Sequence, residues 1–359
     1  MKRGTTDGDM GPLGPEFRLI EILTGRLGPG APLPGEGLAI GIGDDAAAWE
    51  IAPGVLGLLT IDTVVEGVHA FPHEPPEGVG ARALTAAVSD IPAMGGTPLV
   101  AVIGLQVPVE TEDRQLEQLY EGIREEADLL GIAVVGGDVV DTPGPLATSV
   151  AVFGTVRSDR LWRRSGAQAG DVVAVTGRLG GSRAGVELLA LERDMPPGEW
   201  AAALIERHIR PHARVRAAAA INRHGGVNSA IDISDGLSSE AWHLALDSGV
   251  QLTLEADAIP ICSGLEEYLQ LRARERGEMF RGDDTACYAL DSGEEFELLL
   301  TLPPDHPALD EEDLDGDGPL TVIGHVSAGQ ADVILQERSG LRSIRPGGWS
   351  HRKSDGGEG

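Results

Sequence analysis

The chain has 359 residues, 42% of them hydrophobic, and a formal net charge of −29 from 57 acidic against 28 basic side chains. Such a polyanion is a poor partner for nucleic acid or an anionic membrane surface, and the length suits two domains of ordinary size. The basic residues are arginine except for Lys2 and Lys353, so neither a P-loop lysine nor the strand lysine of a protein kinase is available.

Any bound phosphate must therefore meet arginine, backbone N–H groups or metal ions. No stretch approaches the ~18 apolar residues needed to cross a bilayer. The segment "MKRGTTDGDMGPLGPEF" (1–17) lacks the apolar centre of a secretion signal, so a cytoplasmic protein is expected. Cys262 and Cys287 stand far apart without a C-x-x-C partner and read as small buried hydrophobes, not as disulfide or zinc ligands.

In chain order, residues 1–16 read as a flexible N-terminus. "GIGDDAAAWE" (41–50) then runs a glycine turn into Asp44 and Asp45, and "LGLLTIDTVV" (56–65) predicts a strand interrupted by Asp62. The spacing of Ala83, Ala87, Val88 and Ile91 predicts a helix over 78–95 that carries Asp90 toward its end and stops at Gly95–Gly96. A buried strand is expected at 98–108, and an amphipathic helix with a Thr cap and a Gly stop at 111–131. "IAVVGGD" (132–138) reads as a strand ending in a glycine turn before Asp138, and 146–156 completes a first α/β layer of mixed strand order.

The arginine-rich segment 157–171 separates this layer from a second, with the boundary near residue 160. That gives an N-terminal domain over 17–160 and a C-terminal domain over 161–351. The second layer starts at "VVAVTG" (172–177) and passes through helices near 181–192 and 200–224. It reaches "SAIDISDG" (229–236), "WHLALDSG" (242–249), "FELLLTL" (296–302) and "LTVIGHV" (320–326), and residues 352–359 read as a disordered tail.

Taken singly, an aspartate at a turn is usually a cap or a solvated loop residue. Asp62 and Asp232 differ, because an ionised carboxylate within an apolar strand is costly unless paired or bound to metal. Strand ends are where α/β proteins assemble their sites, and carboxylates converging there without lysine point to Mg²⁺, which takes oxygen ligands and is shared with substrate phosphates. The cation would then lie between the glycine turn and a phosphate. Two other patterns fail. His69 and His73 have zinc-like spacing, but Pro72 between them prevents the helix that would align them. "DLDGDG" (313–318) begins like a calcium loop, yet Gly324 stands where a bidentate glutamate is required.

Read together, "GIGDDAA", "LLTIDTVVEGVH", "RALTAAVSDIPAMGGTP", "GGD", "RSGAQAGD", "AIDISDGL" and "SGEEFELL" occur in an order and spacing that resembles the thiamine-monophosphate kinase family, from about Phe17 to His351. That family belongs with aminoimidazole ribonucleotide synthetase and selenophosphate synthetase. The resemblance implies two α/β domains with mixed sheets, and a homodimer in which strands of the N-terminal domains form a shared barrel. It also implies direct phosphoryl transfer from ATP to thiamine monophosphate with several Mg²⁺ ions, the last step in making thiamine diphosphate. Carried over by position, Asp44, Thr60, Asp62, Asp90, Asp138, Asp232 and Asp235 would bind metal. Gly137, Asp138, Arg164 and Ser234 would contact ATP, and His69, Glu295 and Trp349 would contact thiamine phosphate. No dedicated general base is implied, because the acceptor is itself an ionised phosphate. The substrate motif departs from the family's usual Gly-Glu-Asp-Tyr-Glu-Leu, reading Gly293-Glu294-Glu295-Phe296-Glu297-Leu298 here. Another enzyme of the same superfamily, of the aminoimidazole ribonucleotide synthetase type, and a noncatalytic ATP–Mg²⁺ binding protein are the alternatives.

Overall fold

A computed structural model of the chain describes residues 19, 20, 22–26, 37–191, 198–282, 284–314, 316 and 318–348. The expected flexible N-terminus, the 352–359 tail and Trp349 lie outside the described residues.

The first sheet has six strands: β1 (Leu38–Ile40), β2 (Ala47–Ala52), β3 (Val55–Val65), β4 (Thr97–Pro108), β5 (Ala133–Thr142) and β6 (Ala147–Arg157). Their spatial order is β1-β2-β3-β6-β4-β5, and only β4 and β5 run parallel. Alternation along β3 turns Leu58, Thr60 and Val64 toward helices α1 (Pro76–Ala93) and α2 (Asp113–Leu130), while Leu59 and Ile61 stay exposed on the outer face. Pro76 opens α1, where its missing N–H costs nothing. The two helices approach closely because a Cβ at Gly80 would run into Leu119 O and one at Gly122 into Glu77 O.

Two expectations shift locally. α2 begins one residue after Glu112, whose N–H is held by the Gln115 side chain at 3.3 Å, so Thr111 is not the cap, whereas Gly131 ends the helix at φ 69° as predicted. Gly136–Gly137 is no turn: β5 runs through it to Thr142. At Gly137 a Cβ would collide with the Ile103 carbonyl, so the glycine serves close strand approach rather than chain reversal.

The second sheet has seven strands, β7 (Val172–Val175), β8 (Ser229–Asp232), β9 (Gln251–Glu255), β10 (Leu298–Leu302), β11 (Thr321–Ser327), β12 (Asp332–Glu337) and β13 (Gly340–Ser343), in the order β13-β12-β9-β11-β7-β10-β8. Helices α3 (Gly181–Leu189), α4 (Glu199–Ile209), α5 (Val215–His224), α6 (Leu237–Ser248), α7 (Leu265–Arg276) and α8 (Asp284–Leu290) pack around it. The helical stretch read at 200–224 is two helices, α4 and α5, separated around Pro211. This is the mixed α/β architecture that the sequence implies.

The arginine-rich segment after β6 is not a free tether. Trp162 is buried, its N–H donates to Met94 O at 3.1 Å, and it packs with Ala93, α5 and the inner face of β10 in a core shared by the two halves. Among the described residues no helix is long and apolar enough to cross a membrane.

Candidate active site

The site is built where α1 ends against β8. Thr60 and Asp62 lie on the helix-facing side of β3, Ser89 and Asp90 in the last turns of α1, and Asp232 at the end of β8. The Thr60 hydroxyl donates to Asp90, and Ser89 Oγ donates to Asp232 Oδ2 at 2.7 Å, tying the two halves of the chain together. The turn after β1 adds Asp44 and Asp45. Gly43, at φ 123°, gives that turn a conformation that a side chain would strain.

Three carboxylates converge. Ligand oxygens of Asp45, Asp90 and Asp232 all lie within 4.8 Å of one another. Opposite them stands Arg164, whose Nη2 and Nε donate to Asp45 Oδ1 at 2.5 and 3.0 Å, while its backbone N–H points at both oxygens of Asp44 at 3.4 Å. One guanidinium cannot neutralise this cluster, and proton affinities rise accordingly. Burial, then the charges of Asp62, Asp232 and Asp45, pushes Asp90 well above the usual carboxylate range. Burial and then Asp45 push Asp232 up to about 7 and Asp44 to about 6. Asp45 rises by burial in spite of Arg164, and its Oδ2 is buried without a hydrogen-bond partner. Converging carboxylate oxygens, one of them orphaned, suit a divalent cation that prefers oxygen ligands.

Of the aspartates singled out in the sequence, Asp44, Asp62, Asp90 and Asp232 gather at this point together with Thr60. Asp62 belongs to the group electrostatically, since its charge raises both Asp90 and Asp232. Ser234 and Asp235 sit on the turn after β8. Glu240 orders that turn, accepting from Asp235 N at 2.9 Å and Ser234 Oγ at 3.4 Å. Gly137 and Asp138 stand elsewhere, on exposed β5. The register places Asp62 and Gly137 in one row across β3, β6, β4 and β5, three strand spacings or about 14 Å apart.

His69 accepts from Val65 N at 3.0 Å on the turn after β3. His73 is directed away to Leu189 O, so the two imidazoles do not meet. Glu295 is wholly buried, its Oε1 accepting from Gly180 N at 2.8 Å, Ser182 N at 3.1 Å and Ser292 Oγ at 2.6 Å. That carboxylate oxygen holds the β7–α3 turn. Its neighbour Glu294 keeps its side chain 28% exposed, and both Glu294 and Phe296 hold positive φ, at 53° and 52°. Backbone strain of this kind survives only where surrounding contacts enforce it. The chain's last described residues, Gly347 and Gly348, lie against Asp291 and Asp235, with Gly347 N donating to Ser238 Oγ at 3.1 Å.

Sequence reasoning missed two members of this neighbourhood as site residues. Asp45 was visible only as half of a doublet, with nothing to say which half turns inward. Glu240 carries the faint signal of a carboxylate five residues after Asp235, in the first turn of a helix.

Comparison with known proteins fits this geometry. Residues 43–156 match the sequence model of "AIR synthase related protein, N-terminal domain", and residues 168–336 that of the corresponding C-terminal domain. Thiamine-monophosphate kinase of Aquifex aeolicus is 36% identical over 313 residues, covering 86% of this chain and 92% of the relative. The chain belongs to the thiamine-monophosphate kinase family. The Bacillus subtilis member is 34% identical over 345 residues, covering 94% of this chain and 99% of the relative. A solved structure described as "AaThiL complexed with AMPPCP and TMP" superposes with a TM-score of 0.79 at 33% identity, covering 97% of this chain and 100% of that one. The hydrogenase maturation protein HypE in complex with ATP shares the fold alone, at 17% identity and a TM-score of 0.66 over 84% of this chain and 88% of that one.

Proposed function

We propose that this protein transfers the terminal phosphoryl group of ATP directly to thiamine monophosphate, forming thiamine diphosphate, as a cytoplasmic homodimer using Mg²⁺. The observation that carries this reading is the cluster of Asp45, Asp90 and Asp232 at the junction of the two halves, in a chain that matches thiamine-monophosphate kinases over most of its length. Asp44, Asp62, Asp90, Asp232 and Asp235, with Thr60, would hold the ions, and Asp45 joins them on its geometry. Mg²⁺, when bound, neutralises the phosphoryl group in transit and offsets the repulsion between two anionic reactants.

The chain's own residues do the rest. Arg164, fixed by Asp45, offers a cationic contact to the nucleotide beside Ser234. His69, Trp349 and the Glu294–Glu295 segment frame the acceptor, with Glu295 acting through the turn that it holds. A base is not needed, since the acceptor phosphate is already ionised. The nearby His243 is a weak one in any case: burial, then Arg164, pushes its imidazole down to about 3.

The outer face of the first sheet supports the homodimer. Leu59, Ile61, Leu99 and Val102 are between 42% and 65% exposed, and the edge strand β5 adds Val135 and Val139 at 61% and 60%. Among the described residues this apolar face and the β5 edge are left open, and a second copy would complete the sheet by closing the strands into a shared barrel. Gly137 and Asp138 would then lie at the subunit boundary and serve the nucleotide there.

The test is an end-point assay with ATP and Mg²⁺, offering thiamine monophosphate, thiamine and formylglycinamidine ribonucleotide separately. Thiamine diphosphate from the monophosphate alone is expected. Turnover of formylglycinamidine ribonucleotide, or Mg²⁺-dependent ATP binding without product, would reject this reading.

A further inference from the structure

Among the described residues, one of the largest fully buried side chains is a charged one. Arg82, on α1, has no exposed surface. Its Nη2 donates to His69 O at 2.7 Å and pairs with Glu74 Oε2 at 3.1 Å, both on the turn after β3. Its Nη1 donates to His208 O at 3.3 Å and also to His208 Nε2, at the end of α4 in the other half of the chain. Its Nε faces Glu294 Oε1 at 3.9 Å. Because a guanidinium only donates, His208 Nε2 accepts, and Nδ1 donates to Ser182 Oγ at 3.1 Å. Ser182 N in turn is held by Glu295.

Such burial is expensive unless the geometry is needed, since desolvating a guanidinium and its carboxylates offsets much of their attraction. What this arrangement provides is alignment. Arg82 and Ser89 are seven residues apart on α1, hence on the same helix face and about 10 Å apart along the axis. Both cross to the second half of the chain: Ser89 to Asp232, Arg82 to His208 and Glu294. One helix face therefore sets the spacing between the carboxylate cluster and the two segments, 66–74 and 292–297, that frame the acceptor.

We propose that Arg82 is a positioning residue for the acceptor half of the site, acting through His69, His208 and Glu294 to hold those segments in register across the junction. It rests on the reading that the acceptor is bound between them. A two-turn separation from the carboxylates keeps this control apart from nucleotide binding. Bidentate, planar donation is required, so lysine is not an equivalent replacement.

The experiment measures KM for thiamine monophosphate, KM for ATP, kcat and AMPPCP–Mg²⁺ affinity in wild type, Arg82→Met, Arg82→Lys and Glu294→Gln. For Arg82→Met a rise of about ten- to a hundred-fold in KM for thiamine monophosphate is expected, as for other residues that orient a site from behind. KM for ATP and AMPPCP affinity should stay within about two-fold, with Arg82→Lys and Glu294→Gln falling between. Equal changes for both substrates, or none, would overturn the proposal, because a merely structural role moves them together. If Arg82→Met does not fold, the two milder variants carry the comparison. Should the wild type form no thiamine diphosphate, the functional reading fails by itself. Amide exchange in the free protein then decides: faster exchange in both 66–74 and 292–297 of Arg82→Lys is expected, and unchanged exchange would overturn the clamp.

Discussion

Burial and mutual repulsion oppose ionisation of Asp90 and Asp232. Asn at Asp62 or at Asp90 removes one unit of like charge while keeping size, so turnover should drop by at least about a hundred-fold with the fold intact. Unchanged turnover in both variants would end the metal-site reading. The raised proton affinities also fix a sign. Folded Asp232 titrates at about 7 against 3.8 for an unperturbed aspartate, and Asp44 at about 6, so the folded state retains protons that the unfolded chain releases. Their contribution to stability is complete below about pH 4 and is lost as pH rises toward 7. In EDTA the melting temperature should accordingly fall between pH 5 and pH 7.5 more steeply for wild type than for Asp232→Asn, and Mg²⁺ should lessen the fall. Equal slopes would show that the cluster does not govern the titration.

Helices and strands reveal which parts of this arrangement a sequence can disclose. Asp62 and Asp232 were legible because a carboxylate inside an apolar strand contradicts its surroundings, and Asp90, near the end of a mostly apolar helix, only as one of several carboxylates expected to converge. Arg82 was not, since an arginine on a helix reads as solvent-facing until its partners are known, and His208 and Glu294 lie more than a hundred residues away. Glu294 and Glu295 are adjacent and chemically alike, so only the fold distinguishes the buried anchor from its half-buried neighbour. Glycines misled in one place, where Gly136–Gly137 suggested a turn although the strand continues. Close packing explains that glycine and also Gly122. Gly122→Ala should destabilise the protein by about 1–3 kcal/mol in urea unfolding, because the added methyl meets the Glu77 carbonyl and backbone cannot swing aside. A change below about 0.5 kcal/mol would mean that α1 and α2 separate more easily than their contact implies.

For the molecule as a whole, the outer face of the first sheet and the edge of β5, both left open among the described residues, are the features to test. Ile61, 65% exposed on that face, can accept a charge without disturbing the monomer. Ile61→Glu should shift the proposed dimer to monomer in light scattering while the melting curve of the monomer remains cooperative. A wild type that is monomeric at micromolar concentration would refute the assembly.

The helix face that carries Arg82 and Ser89 has an evolutionary consequence. Although α1 is encoded in the first half of the chain, its side chains complete the wall of the second half. The halves are therefore not interchangeable modules. A chimera joining residues 1–160 of this protein to the remainder of a distant relative should lose acceptor selectivity unless the positions equivalent to His208 and Glu294 travel with Arg82. Recombination within this family is expected to succeed where those three residues descend from one parent.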